Sequence, residues 1–348
     1  MKSLEKVLTQ GPTGLVFAST IGDHAALGYR DFLDLPQPLP MNFGSSFDLA
    51  SITKIMCTTA ILMDFVALGE ISLEDPVHKF LPAWKGEKSA ITVEQLLRHR
   101  SGLAPWRPMY IRRKSPEEVY EFIAAEPLAF PIDSVRAYSD LGFITLGQII
   151  SVIAGKRLES VFDEVVRRPY GLAHTQFAKP LTEAVSTSRG DYFEKVMVES
   201  NTPYQVPELV DEFGKWRTHI LKGEVSDGNS FHIFGGIAGH AGLFSTVEDL
   251  ISFGEEISQH ELFKEFTGEG PDVDAHLGFV SWSDTVGQCT DRFFGHTGFT
   301  GGAIGISQRH GVVAALLTNR THTDAPLTPT AHLWTPVLHE LHARLHAH

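Results

Sequence analysis

Two cysteines in 348 residues are too few for a disulfide framework, and no residue spacing suggests a bound metal. Cys57 falls in an apolar stretch and reads as a small core residue, while Cys289 lies in a polar one; one pairing stays arithmetically open. Cations are also scarce. Lys and Arg number 29 against 42 Asp and Glu, a formal net charge of -13. A general polyanion-binding surface is therefore not expected, and nucleic acid is excluded as a partner, although a local cationic pocket is compatible with the balance. No apolar run approaches the ~20 residues of a membrane span. The N-terminal Met-Lys-Ser-Leu-Glu-Lys-Val-Leu has neither an apolar signal core nor a cleavage site. As written, the chain is expected in the cytoplasm; a trimmed export signal would place it in the periplasm or outside the cell. No G-x-S-x-G elbow occurs, which argues against an α/β-hydrolase. Gly236-x-x-Gly239-x-x-Gly242 lacks both the Lys-Ser/Thr ending of a phosphate loop and the G-x-G start of a dinucleotide fingerprint.

What remains is an ordinary globular composition, 43% hydrophobic and 20% charged, organised around one stretch. From Ser51-Ile52-Thr53-Lys54 onward, apolar residues fall at 52, 55, 56, 61, 62, 65, 66 and 68, the 3–4 spacing of a core helix closed by Gly69. Ser51 then sits in the first turn, where free N–H groups and the helix dipole favour developing negative charge. Lys54, three residues on, shares its face. A serine needs such help to act as a nucleophile at neutral pH. The plain alternative is an N-cap serine and a solvated lysine.

In chain order, Gly14–Thr20 and His24–Tyr29 flank Ile21-Gly22-Asp23 as a hairpin, and a Pro-rich loop over 31–44 leads to the organising helix. Residues 70–200 read as mainly helical, with Ser115-Pro116-Glu117-Glu118 as a capping box and Leu141–Ala154 as the strongest amphipathic segment. Residues 201–230 read as irregular. Ser245–Glu248 is a second capping box opening a helix to about Ile257. Gly302–Ser307 and Val312–Thr318 form a second hairpin, and a terminal helix carries Leu333, Val337, Leu341 and Leu345. Strands at both ends with helices between them predict an α/β (α+β) domain assembled from 1–75 and 201–348. A helical insertion is expected over 76–200, with a cleft between the two parts.

Two further stretches carry possible chemistry. Tyr138-Ser139-Asp140 precedes the Leu141 helix, where Ser139 or Asp140 could serve simply as an N-cap. Phe293-Phe294-Gly295-His296-Thr297-Gly298 could be only a Gly-rich strand edge. Taken in order, Ser-x-x-Lys, Tyr-Ser-Asp and His-Thr-Gly resemble the three motifs of the serine β-lactamase and penicillin-binding-protein superfamily. The tyrosine makes the chain similar to class C β-lactamases, D-alanyl-D-alanine peptidases and family-VIII esterases. Leu96–Leu103 and Gly239–Thr246 also resemble segments of its β-lactamase-related serine hydrolases.

The resemblance implies a β-lactamase/transpeptidase-like fold with a mostly antiparallel mixed sheet. It implies Ser51 as nucleophile, with Lys54 and Tyr138 sharing removal of its proton. A cation beside the phenol would favour phenolate, and protonated His296 would add to that effect. The N–H groups of Ser51 and Phe299 would form the oxyanion hole, and Asp140, His296, Thr297 and Gly298 would contact substrate. No metal or organic cofactor is implied. Two departures stand out: Asp140 replaces the usual Asn, and His296 the commoner Lys. The expected reaction is hydrolysis of an amide or ester through an acyl-enzyme, in a D-amino-acid peptide, β-lactam-like or small ester substrate. The other reading is a catalytically silent module that binds peptide ligands as sensor or scaffold, to which Asp140 lends some support. His99 and His240 lack zinc-protease spacing and read as structural; Arg320 could meet a substrate carboxylate, or simply end a strand. Oligomeric state is left open.

Overall fold

The computed structural model describes residues 1–31, 38–177, 184–323 and 326–346; part of the Pro-rich loop expected over 31–44 lies outside them. Among the described residues the strands are, in chain order, β1 (Gly14–Ser19), β2 (His24–Gly28), β3 (Phe47–Asp48), β4 (Gln176–Phe177), β5 (Ser186–Arg189), β6 (Ile220–Lys222), β7 (Leu243–Ser245), β8 (Val280–Val286), β9 (Cys289–Thr297), β10 (Ala303–Ser307) and β11 (Val312–Thr318). The main sheet is antiparallel with order β2-β1-β11-β10-β9-β8. Both expected hairpins are present, and β1 pairs with β11, with Phe17 opposite Leu316. The two ends of the chain thus share one sheet.

Strand alternation decides what covers each face. Leu15, Phe17, Ala314 and Leu316 point to one side, where the helices Lys2–Leu8 and Thr330–Leu345 pack through Leu4, Val7, Leu333, Trp334 and Leu341. Val16, Val313, Ala315 and Leu317 point to the other, toward the helix Val247–Gln259 and the organising helix. Every residue of β11 is buried, so it reads as a continuous apolar run, as a strand covered on both faces should. Gly254 shows how close the layers come: a Cβ there would lie 2.4 Å from Val313 Cγ1.

The structure departs from expectation in several places. Residues 70–200 contain the strands β4 and β5 besides their helices, and β4 pairs with β7 far along the chain. The span read as irregular holds β6 and the helix Gly228–His232. The second helix cap is Thr246, whose Oγ accepts the Asp249 N–H at 3.4 Å; Ser245 instead ends β7 and bonds Thr175. Both cysteines are free. The run Ala50–Ala67 is apolar and long enough to cross a membrane by composition, but 78% of it is buried within the fold. It is a core helix.

Candidate active site

The organising stretch is not one regular α-helix. A 3-10 turn over Ala50–Ile52 passes into a wide π-type run over Lys54–Thr59 and only then into α-helix, Ala60–Ala67, ended by Gly69 at φ +72°. Side chains hold this entry from outside the helix. Thr58 donates to the Gly239 carbonyl at 2.6 Å, and Thr53 accepts the Leu243 N–H at 3.2 Å. Ala50 has a positive φ of 44°, uncommon for a residue with a Cβ. The buried Asp48 stabilises it, one carboxylate oxygen accepting the Ala50 N–H at 2.8 Å and the other the Ser226 N–H at 2.6 Å. Burial lifts the Asp48 carboxyl to about 6 despite those bonds. The turn carrying Ser51 is therefore anchored before any ligand arrives.

Lys54 is fully buried. Its Nζ donates to Ser51 Oγ at 2.9 Å, to Asp140 Oδ1 at 2.6 Å and to the His240 carbonyl at 3.4 Å, and lies 4.9 Å from the Tyr138 ring centroid. Burial alone would pull the amine down, but the Asp140 carboxylate and then Tyr138 outweigh it, so Lys54 is held as a cation well above its ordinary value. The Tyr138 hydroxyl interacts with both Lys54 and Ser51. Its pKa is nevertheless raised: burial dominates, and the negative charge of Asp140 offsets what Lys54 contributes. This corrects the expectation of a lowered phenol. In the resting site Tyr138 is a neutral phenol beside a lysine–aspartate ion pair.

Tyr138 owes its place to the helix Asp140–Ala154. Ser139 caps that helix by accepting the Gly142 N–H at 3.3 Å, and donates its own hydroxyl to the Ala104 carbonyl at 2.7 Å. The Ser139 N–H in turn donates to His99 Nδ1 at 3.0 Å, and the His99 ring packs 4.4 Å from that of Tyr138. Burial, then Lys54, holds His99 neutral, the state needed to accept that N–H. The structural reading of His99 holds, but the structure it supports is the tyrosine turn.

His296 lies at the end of β9, its ring centroid 5.9 Å from that of Tyr138. Its Nδ1 donates to the Thr297 carbonyl at 2.7 Å, and its Nε2 is buried without a partner among the described residues. Burial, then the Lys54 charge, lowers it to about 3. The expectation of a protonated His296 fails for a plain reason: a second cation cannot be accommodated dry beside Lys54. Its imidazole resonances are expected to stay flat from pH 5 to 8 in a proton NMR titration, and a midpoint inside that range would contradict this burial.

Gly298 brings the third motif against the nucleophile turn: a Cβ there would lie 2.5 Å from the Leu49 carbonyl. Arg320 donates to the Phe299 carbonyl at 2.9 Å and to that of Thr328 at 2.8 Å, so it braces this loop. The Phe299 N–H makes no hydrogen bond among the described residues. Phe299 lines a cavity of about 230 Å³ together with Ser51, Tyr138 and Asp140; His296, Thr297 and Gly298, expected to contact substrate, are not among its lining residues. Trp106, Phe193 and Tyr204 supply aromatic sides, and Asp191, Glu194 and Asp227 add three more carboxyl groups. Asp191 is held by buried Arg217 at 2.6 Å and Asp227 by His240 Nε2 at 2.9 Å. Burial, then Asp227, pushes Glu194 up toward its neutral form. Reading the sequence alone did not single out these wall residues. Only the segments around His99 and His240 carried a signal, through their likeness to family segments.

A buried lysine touching a serine on a constrained turn, in an α+β fold with its sheet built from both ends, defines a serine hydrolase. The family model described as "Beta-lactamase" matches residues 4–336, and the chain belongs to that family. It is 27% identical over 335 residues to an N-acetylmuramyl-L-alanine amidase of Bacillus subtilis (strain 168), covering 86% of this chain and 74% of that one. Among solved structures, D-amino acid amidase from Ochrobactrum anthropi SV3 matches with a TM-score of 0.74 at 18% identity, covering 99% of this chain and 98% of the other. A class C β-lactamase from Rhodobacter sphaeroides matches at 0.65 and 17%, covering 97% and 98%.

Proposed function

We propose that the chain hydrolyses small amides whose scissile carbonyl lies beside a free ammonium group, forming an acyl-enzyme on Ser51. The lining of the cavity carries this reading: four carboxyl groups, Asp140, Asp191, Glu194 and Asp227, and no Lys or Arg. Lys54 is committed to Asp140, Arg320 to backbone carbonyls, and His296 is neutral. A substrate carboxylate would meet no free cation there. With Asp140 and Asp191 paired to Lys54 and Arg217, and Glu194 pushed toward neutral, the complementary charge left for an ammonium is that of Asp227 beside His240. The relatives lend support, one being named for an amidase and a structural neighbour for acting on amino acid amides.

In this mechanism the amide carbonyl rests on the N–H groups of Ser51 and Phe299, which stabilise the oxyanion as it forms. The Lys54–Tyr138–Asp140 group must first lose one proton, because both bases are protonated at rest. Ser51 Oγ then attacks while Tyr138 accepts its proton. The proton passes to the leaving amine; water, deprotonated by the same phenolate, then attacks the acyl-enzyme, and Tyr138 returns that proton to Ser51 Oγ as the acid leaves.

The test combines a covalent and a kinetic measurement. A fluorophosphonate is expected to add once, at Ser51, by intact-protein and peptide mass spectrometry. Phenylalanine amide, in whichever enantiomer is turned over, is expected to exceed its N-acetyl derivative in kcat/KM by at least about tenfold. Equal or faster turnover of the N-acetyl compound would overturn the ammonium reading while leaving the nucleophile intact.

A further inference from the structure

On the far side of the sheet, three histidines converge. His310 stands in the turn between β10 and β11; His342 and His346 lie one helical turn apart at the end of the helix Thr330–Leu345. One ring nitrogen from each lies within 4.8 Å of the other two. His342 Nε2 and His346 Nε2 face each other at 3.0 Å. His342 is fully buried, and its Nδ1 lies 2.7 Å from Asp284 Oδ2 on β8. His310 Nε2 is buried without a hydrogen-bond partner among the described residues, 3.6 Å from Asp291 Oδ2.

We infer that this cluster is a binding site for a divalent transition ion of the zinc class, clasping the terminal helix to the β10–β11 turn. The tautomer logic supports it. Asp284 takes the Nδ1 proton of His342, which leaves the Nε2 lone pair directed at the cluster, the carboxylate–histidine arrangement that orients metal-bound imidazoles. Nitrogens bound 2.0–2.1 Å from a tetrahedral zinc stand about 3.3 Å apart. The His342–His346 pair is near that spacing, and His310, within 4.8 Å of both, would close up on the ion. Neutral imidazole suits zinc, nickel or copper rather than calcium or magnesium. Asp284 and Asp291 supply negative charge around the cluster, and Arg309 is the opposing cation that they must balance. Water would complete the coordination. Sequence spacing suggested no metal set and the family resemblance implied none; His310 joins the other two only through the fold.

The experiment titrates Zn²⁺ alone into metal-free full chain bearing no histidine tag, by calorimetry. One equivalent is expected to bind with micromolar or tighter affinity. His310→Ala and His346→Ala, at half-buried positions, should each weaken binding at least tenfold while phenylalanine amide hydrolysis is retained. Added Zn²⁺ should raise the Tm of the parent chain and not that of either variant. Absence of stoichiometric binding, or equal binding by parent and variants, would overturn the site and leave the histidines as a hydrogen-bonded pair with a neighbour.

Discussion

Replacing Lys54 with methionine is expected to lower kcat/KM by about 10³-fold or more and to cost stability as well. The two effects have different origins. Catalytically, Ser51 loses the donor 2.9 Å from its Oγ, and Tyr138 loses the cation against which a phenolate could form. Structurally, the substitution leaves Asp140 facing an apolar side chain, and removing one partner of a buried pair costs about 3–5 kcal/mol. Asp140 keeps 18% of its side chain exposed, so the lower end applies, about 3 kcal/mol and roughly 5 °C in Tm. A double-mutant cycle separates the two. Lys54→Met combined with Asp140→Leu should recover most of the stability and none of the activity. Recovery of hydrolysis in the double variant would remove Lys54 from the chemistry.

The second large effect is expected at Asp140 and runs the opposite way. Its carboxylate raises both Lys54 and Tyr138. Activity should rise with pH, because the reactive form has one proton fewer than the resting site. Asp140→Asn removes the negative charge and keeps the shape, so both groups release their protons more readily. The basic form then appears at lower pH, and the rising limb of the kcat/KM profile moves toward acid. At pH 7 a gain of about tenfold is expected, a fraction of the roughly 10²–10⁴-fold that a positioned base contributes in all. A limb unmoved, or displaced toward alkali, would show that Asp140 does not set the protonation of the base. The same variant bears on the substrate: one carboxylate fewer should weaken KM for an ammonium-bearing amide, so kcat and KM are best read separately.

That Ser51 and Lys54 share one turn and that Tyr138 and Asp140 flank a helix cap was legible from local patterns, Ser139 capping its helix as its neighbourhood predicts. That the two meet in one site was legible only through the resemblance of the motifs. Their protonation was not legible. Whether Lys54 lowers the phenol depends on a carboxylate 86 residues away and on how dry the site is, and only the packed structure contains either. The π-type entry of the organising helix was hidden for a similar reason. Thr53 and Thr58 tie that run to residues 190 and 181 positions later, respectively. The β8–β9 hairpin escaped because β8 is an edge strand with mostly polar outward residues, so alternation is weak there. The cavity wall is drawn from separate elements, Ser188 on β5, Phe193 and Glu194 on the helix Tyr192–Ser200, and Trp106, Tyr204 and Asp227 outside regular structure, which no single period connects.

The pairing of β1 with β11 imposes an order on biosynthesis. Leu15 meets Thr318 only after roughly 300 further residues have left the ribosome. At ~5–20 residues per second, that is an interval of roughly 15–60 s. During it, the apolar helix behind Ser51 lacks the sheet face that covers it. The nascent chain is then a client for holding chaperones, and slowing translation before residue 312 should increase aggregation more than slowing it afterwards.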